Sequence, residues 1–142
     1  MSQIHVARPR RQPARKASRK PSQRNVSAVL QPLQTAHHAL RCGVATQGHW
    51  AVMAGCIQVA QDIEAQGDIH GLTEHLASAH AAMQTIFARC SGTGTWCDTS
   101  LRFDEADALR AFVDLHTLQI QQLGQAGYFK AIDRAAAREG RQ

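Results

Sequence analysis

Four cysteines and eight histidines are the residues of this 142-residue chain best suited to bind a metal or to act as nucleophile and base. Cys42, His49, Cys90 and Cys97 come nearest to a set. If the helices that carry them stack antiparallel, all four fall at one end of the stack. Three thiolates and one imidazole are a fitting complement for structural zinc, but no cofactor is expected, and zinc is the single alternative to that reading. Their spacing is not that of a zinc finger or ribbon, and no C-x-x-C pair occurs. The plainer reading is reduced thiols serving as small apolar groups. A Cys90–Cys97 disulfide is disfavoured, because nothing in the sequence implies export.

The histidines do not form a row. His70, His75 and His80 are spaced by five, which turns each about 140° from the last on an α-helix. His37, His49 and His116 lie on apolar stripes and His80 borders one. Each is expected to fill a core or boundary position and to bond a backbone carbonyl or a helical neighbour. Other signatures of chemistry are missing. Gly92-Thr93-Gly94 lacks the lysine and the preceding strand of a phosphate loop, and neither a nucleophile elbow nor a Glu-x-x-His pair is present. No catalytic residue is assigned, and the expectation is a protein that is not an enzyme.

Charge is the stronger signal. The chain carries 16 Lys and Arg against 11 Asp and Glu, for a net +5. Arg8, Arg10, Arg11, Arg15, Lys16, Arg19, Lys20 and Arg24 fall within residues 1–24, which contain no acid. That segment is +8, and the rest of the chain, with eight basic groups and all 11 acids, is −3. Pro9, Pro13 and Pro21 and a near-absence of large apolar residues predict a disordered arm over residues 1–25. Such an arm suits a polyanion, because every phosphate it neutralises releases a counterion. Lacking aromatic residues to stack on bases, it would hold the nucleic-acid backbone without reading sequence. A solvating tail, a basic import cluster and an organellar transit peptide are the competing readings, the last opposed by three prolines. No stretch reaches the roughly 20 apolar residues of a membrane span, and no secretory h-region follows the basic residues.

Residues 26–142 read as one helical domain. The spacing predicts a first helix from near Gln31, with Pro32 in its first turn, Val26 and Leu30 as an extended approach, and a stop at Gly43. Its stripe is Val26, Leu30, Leu33, His37, Leu40 and Val44. A second helix runs from the N-cap Thr46 to Gly67 along His49, Val52, Met53, Cys56, Val59, Ala60 and Ile63, with Asp62 and Glu64 off the stripe. Gly48 and Gly55 weaken it, and a close helix contact at Gly55 would offset part of that. A third follows Leu72, Leu76, Ala79, Met83, Ile86 and Cys90, widened by His80 and Phe87. A fourth begins at Asp104 with Asp107 at N3, carries Leu109, Phe112, Val113, His116, Ile120 and Leu123, and stops at Gly124. A short fifth helix, Tyr128 to Arg138, presents Phe129, Ile132 and Ala136. Short connections favour antiparallel neighbours, so the expected fold is all-α: an antiparallel up-down bundle of four main helices plus a short C-terminal helix.

Trp96 and Trp50 either cap the core or anchor a partner. Leu118 and Leu115 lie off the stripe of the fourth helix, which leaves a homo-oligomer open. Arg102, Arg110, Lys130, Arg134 and Arg138 make either a second basic surface or a solvated face.

The pattern Leu40-Arg41, Ala45-Thr46, His49-Trp50, with Leu101-x-Phe103 and Leu115-His116 after it, resembles small uncharacterised helical proteins of proteobacterial prophages and mobile elements over residues 25–123. The resemblance implies a bacterial cytoplasmic setting and an accessory role, and carries over no activity. Two functions are therefore expected to compete. One is a non-enzymatic accessory protein whose basic arm binds nucleic acid nonspecifically. The other is a protein-interaction module, such as a phage-encoded inhibitor of a host defence or regulatory protein.

Overall fold

Apolar residues repeating every three or four positions bury one side of a helix, and four such stripes organise the chain. The computed structural model describes residues 21–67 and 69–140. In these residues the fold is all-helical, with α1 (Pro21–Arg41), α2 (Gln47–Ala65), α3 (Thr73–Ser91) and α4 (Phe103–Glu139), and no strand. α1 packs on α2 and α4, α3 packs on α2 and α4, and α2 touches α4, whereas α1 and α3 do not meet. The pair α2 and α4 is thus the centre of the bundle. Its core is filled by Met53, Ile57 and Ile63 of α2 and by Leu109, Phe112 and Ile120 of α4, all fully buried.

The first helix begins earlier than its proline suggests. Pro32 lies inside α1 rather than in its first turn, and the segment expected as an extended approach is helical back to Pro21. A mid-helix proline lacks the N–H for its own i−4 bond and crowds that carbonyl. Burial overrides this cost: Val26, Leu30 and Leu33 are all buried, in register across the proline. Helix thus extends over residues 21–25, at the C-terminal edge of the segment expected as an arm. The stop is as read. Gly43, at φ 71, lets its own N–H reach the Leu40 carbonyl (3.2 Å) and the Val44 N–H reach that of Ala39 (3.1 Å). Val44 lies beyond that stop and is 59% exposed.

Thr46 caps α2 as its residue type dictates, but its partner at N3 is a histidine. The Thr46 hydroxyl accepts from the His49 amide (3.2 Å), and the Thr46 amide donates to His49 Nδ1 (3.0 Å). The face of α2 is rotated relative to the expected stripe: Ile57 and Asp62 are buried, while Val52 is exposed. No neighbour approaches Gly55, where an added Cβ would meet nothing within 4 Å, so its absence of a side chain serves no close helix contact. Gly55→Ala is accordingly expected to stabilise the protein by about 0.5–1 kcal/mol, readable as an upward shift of the urea midpoint.

The α3 stripe is buried as its spacing requires, from Leu76 to Cys90, although His80 is exposed and Phe87 is 37% exposed. α4 starts one residue earlier than expected, with Glu105 rather than Asp107 at N3, its carboxylate taking the Arg102 amide at 2.8 Å. The expected stop at Gly124 and the fifth helix are a break inside one long element: Gly124 has φ 69 and ψ 172, and helix resumes at once. Past the break the buried face is Tyr128 and Ala131, with Phe129 and Ala136 exposed.

Candidate functional site

Polar groups that the bundle buries are where chemistry would be concealed, and one such group straddles the break in α4. His116 is 0% exposed and stacks on Phe112 at 5.3 Å. One turn on, Gln119 accepts from His116 Nδ1 at 2.8 Å while donating its own amide to the Ala60 carbonyl of α2 at 3.4 Å. With the amide so oriented, Nδ1 carries the ring proton and Nε2 accepts from the Tyr128 hydroxyl at 2.9 Å. Cys56 of α2 meets the same hydroxyl. Burial drives the His116 pKa down to about 4 against the opposing Gln119 bond, and pushes the Cys56 thiol up to about 11. Tyr128 is likewise raised by burial and by Cys56. The imidazole is neutral, has both nitrogens engaged and reaches no solvent. It binds residues before and after Gly124 to one another and to α2, which makes it a staple of the break.

A second centre fixes the α3–α4 connection. Glu105, 3% exposed, accepts from Arg89 through both oxygens (2.6 and 3.1 Å), from the Thr85 hydroxyl (2.6 Å) and from the Arg102 amide (2.8 Å). Burial alone would raise its pKa; the bonds from Arg89, Thr85 and Arg102 outweigh it and hold the carboxyl at about 2. Arg89 also reaches the Thr99 hydroxyl (3.0 Å) and the Ser100 carbonyl (3.3 Å), so one guanidinium binds the loop to both helices. Beside this clamp runs an open groove of about 520 Å³ whose lining includes Ala82, Thr85, Asp104, Glu105, Asp107 and Ala108.

A third centre is the carboxylate of Asp62, buried in α2 and ion-paired to Arg138 (2.8 Å) and Arg134 (3.4 Å) beyond the break. These pairs decide the fate of the second basic surface. Arg134 and Arg138 serve Asp62 and Arg110 serves Asp107 (2.8 Å), so three of its five cations neutralise acids of the bundle.

The sequence-derived metal set does not converge. Among the described residues no three His, Cys, Asp or Glu side chains stand together to hold a metal ion, and all four cysteines are free thiols. Cys90 Sγ lies 3.4 Å from the Thr99 hydroxyl, His49 Nδ1 serves the α2 cap and Cys42 Sγ faces His38. The 92–102 loop places Trp96 over the core instead: its indole N–H donates to the Ala45 carbonyl (2.9 Å), as that of Trp50 does to Met83 (2.9 Å). Phe87 lies between the two indoles, at 4.8 Å from Trp50 and 6.1 Å from Trp96. Both tryptophans are half-buried core caps whose donors are satisfied within the fold. No protein-family model, curated protein or solved structure matches the chain. The candidate arm residues Arg8, Arg10, Arg11, Arg15, Lys16, Arg19 and Lys20 lie outside the described residues, and Arg24 falls within α1.

The expectation that each stripe histidine bonds a backbone carbonyl or a helical neighbour is met by His116, through Gln119, and not by His37, whose buried Nε2 has no hydrogen-bond partner among the described residues. Sequence reasoning did not anticipate Tyr128, Glu105 or Asp62 as members of buried centres. An acid at N3 is a legible signal for Glu105. A lone polar residue one step off an apolar stripe is the legible signal for Asp62.

Proposed function

We propose that this is a non-enzymatic accessory protein of bacterial mobile elements, working in the cytoplasm, whose basic N-terminal segment binds nucleic acid without sequence preference. In this reading the four helices run up and down as a bundle, and the segment before α1 is a disordered arm. The observation that carries the proposal is the division of charge, +8 over residues 1–24 and −3 over the remainder. The pairing of Arg110, Arg134 and Arg138 with acids of the bundle supports it, because it leaves the arm as the densest uncompensated positive charge.

The test removes residues 1–20 and keeps every described residue of α1, Pro21–Arg41. Seven of the eight arm cations go with that segment. The truncated chain is expected to lose salt-sensitive binding to duplex DNA or RNA, measured by fluorescence anisotropy, while its helical circular dichroism is retained. Undiminished binding would contradict the proposal. A second reading, an interaction module for a host protein, draws on the aromatic edge of Trp50, Phe87 and Trp96, of which Phe87 is exposed. It requires that the truncated chain still capture its partner from host extract treated with nuclease.

A further inference from the structure

The last turn of α1 and the residue that follows the helix carry a histidine and a cysteine that the fold does not use. His38 and Cys42 are four residues apart and both exposed, on a helix that packs on α2 and α4 with its remaining side outward. The Cys42 amide donates to the His38 carbonyl at 3.0 Å, so helical geometry still holds at this point and fixes the two residues one turn apart. Their side chains already converge: His38 Nε2 and Cys42 Sγ are 3.7 Å apart.

That separation is close to the one a tetrahedral zinc ion sets between its ligands. Zinc–sulfur and zinc–nitrogen bonds of about 2.3 and 2.0 Å at a tetrahedral angle set sulfur and nitrogen about 3.5 Å apart. Zinc would need no change of helix, but Arg41 must release Nδ1 so that the ring proton moves there and frees Nε2 to bind. Among the described residues no third His, Cys, Asp or Glu stands close enough to complete the set, and closed zinc sites take four protein ligands. The same pair on a second copy supplies the missing imidazole and thiolate.

We propose that His38 and Cys42 form half of a zinc site that a second copy of this chain completes, giving a Cys₂His₂ ion bridge between two α1 C-termini. The site is independent of nucleic-acid binding by the arm. On binding, each Cys42 thiol gives its proton to solvent as its sulfur takes the metal, and each His38 binds through neutral Nε2, so one zinc ion and two neutral pairs yield the bridge and two protons. The nearest opposing charge is Arg41, whose Nη2 lies 3.5 Å from His38 Nδ1. It is exposed and can turn away, but its charge works against any cation at this place.

The test uses the untagged full-length chain, reduced and freed of metal, titrated with zinc and followed by multi-angle light scattering. The expected result is a doubling of mass that saturates at one zinc per two chains and is lost in His38→Ala and in Cys42→Ser. Arg41→Ala is expected to lower the zinc concentration needed, and Cys97→Ser, which alters the other exposed thiol, to leave it unchanged. Cobalt(II) in place of zinc should show the tetrahedral d–d bands and the thiolate charge-transfer absorption, both absent from Cys42→Ser. A chain that keeps its metal-free mass at saturating zinc would overturn the proposal. So would a one-to-one complex that stays monomeric, or pairing that survives both ligand substitutions.

Discussion

Glu105→Ala is expected to cost about 3–5 kcal/mol, the scale of breaking a buried ion pair from one side. The carboxylate is 3% exposed and receives four hydrogen bonds. Its removal leaves the Arg89 guanidinium without a counter-charge beneath the 92–102 loop and the Arg102 amide without an acceptor at the start of α4. A fall in Tm on the order of 10–20 °C should be seen by circular dichroism. Glu105→Gln keeps one acceptor oxygen and should recover part of the loss. Asp107→Ala, which removes the partner of an exposed pair, should change stability by less than about 1 kcal/mol. A cost below about 1 kcal/mol for Glu105→Ala would mean that the clamp does not organise the α3–α4 connection.

Acid should dismantle the fold in two stages, and the first belongs to His116. Its pKa is about 4 in the fold against an ordinary 6.5, so between these values the unfolded chain takes up a proton that the folded chain refuses. The stability that this burial permits is complete above pH 6.5 and is lost as pH falls toward 4, by about 3 kcal/mol at 1.36 kcal/mol per unit. His37, lowered by burial and by Arg41 against the pull of Asp114, acts in the same direction. Glu105 enters at lower pH: with an ordinary value of 4.5 and a folded value of about 2, its contribution is present above 4.5 and drains as pH falls toward 2. Urea midpoints at pH 7 and pH 4 measure the first stage. In His116→Phe the fold should be less stable at pH 7, because Tyr128 and Gln119 lose their partner, but stability should change much less between the two pH values. Equal pH slopes in the two proteins would contradict the assignment.

These two centres also show where the sequence stops being readable. The spacing of Leu76, Ala79, Met83 and Ile86 dictates α3, Thr46 and Gly67 mark the ends of α2, and Gly124 marks the break in α4, because each signal is local. Apart from the one-residue slip at the start of α4, the failures involve packing against a partner distant in sequence. Pro32 reads as a helix start until Val26 and Leu30 are seen to be buried with Leu33. Asp62 reads as a solvated acid until Arg134 and Arg138 arrive from beyond the break. Tyr128 reads as the start of a separate helix, and its hydroxyl reaches His116 only because the chain resumes its helix immediately after Gly124. The four candidate metal ligands stand apart for the same reason: the loop that carries Cys97 seats Trp96 on the Ala45 carbonyl, and Cys90 faces Thr99. The charge division, by contrast, needs no partner to be seen, which is why the functional reading rests on it.

That reading is tested most directly by the salt dependence of duplex binding. Plotted as log K against log salt concentration, the full chain is expected to give a steep negative slope, bounded near about −7 if all eight arm cations engage phosphates. The chain lacking residues 1–20 is expected to bind weakly with a slope near zero. Matching slopes and affinities in the two proteins would place any nucleic-acid contact on the helical body and contradict the account.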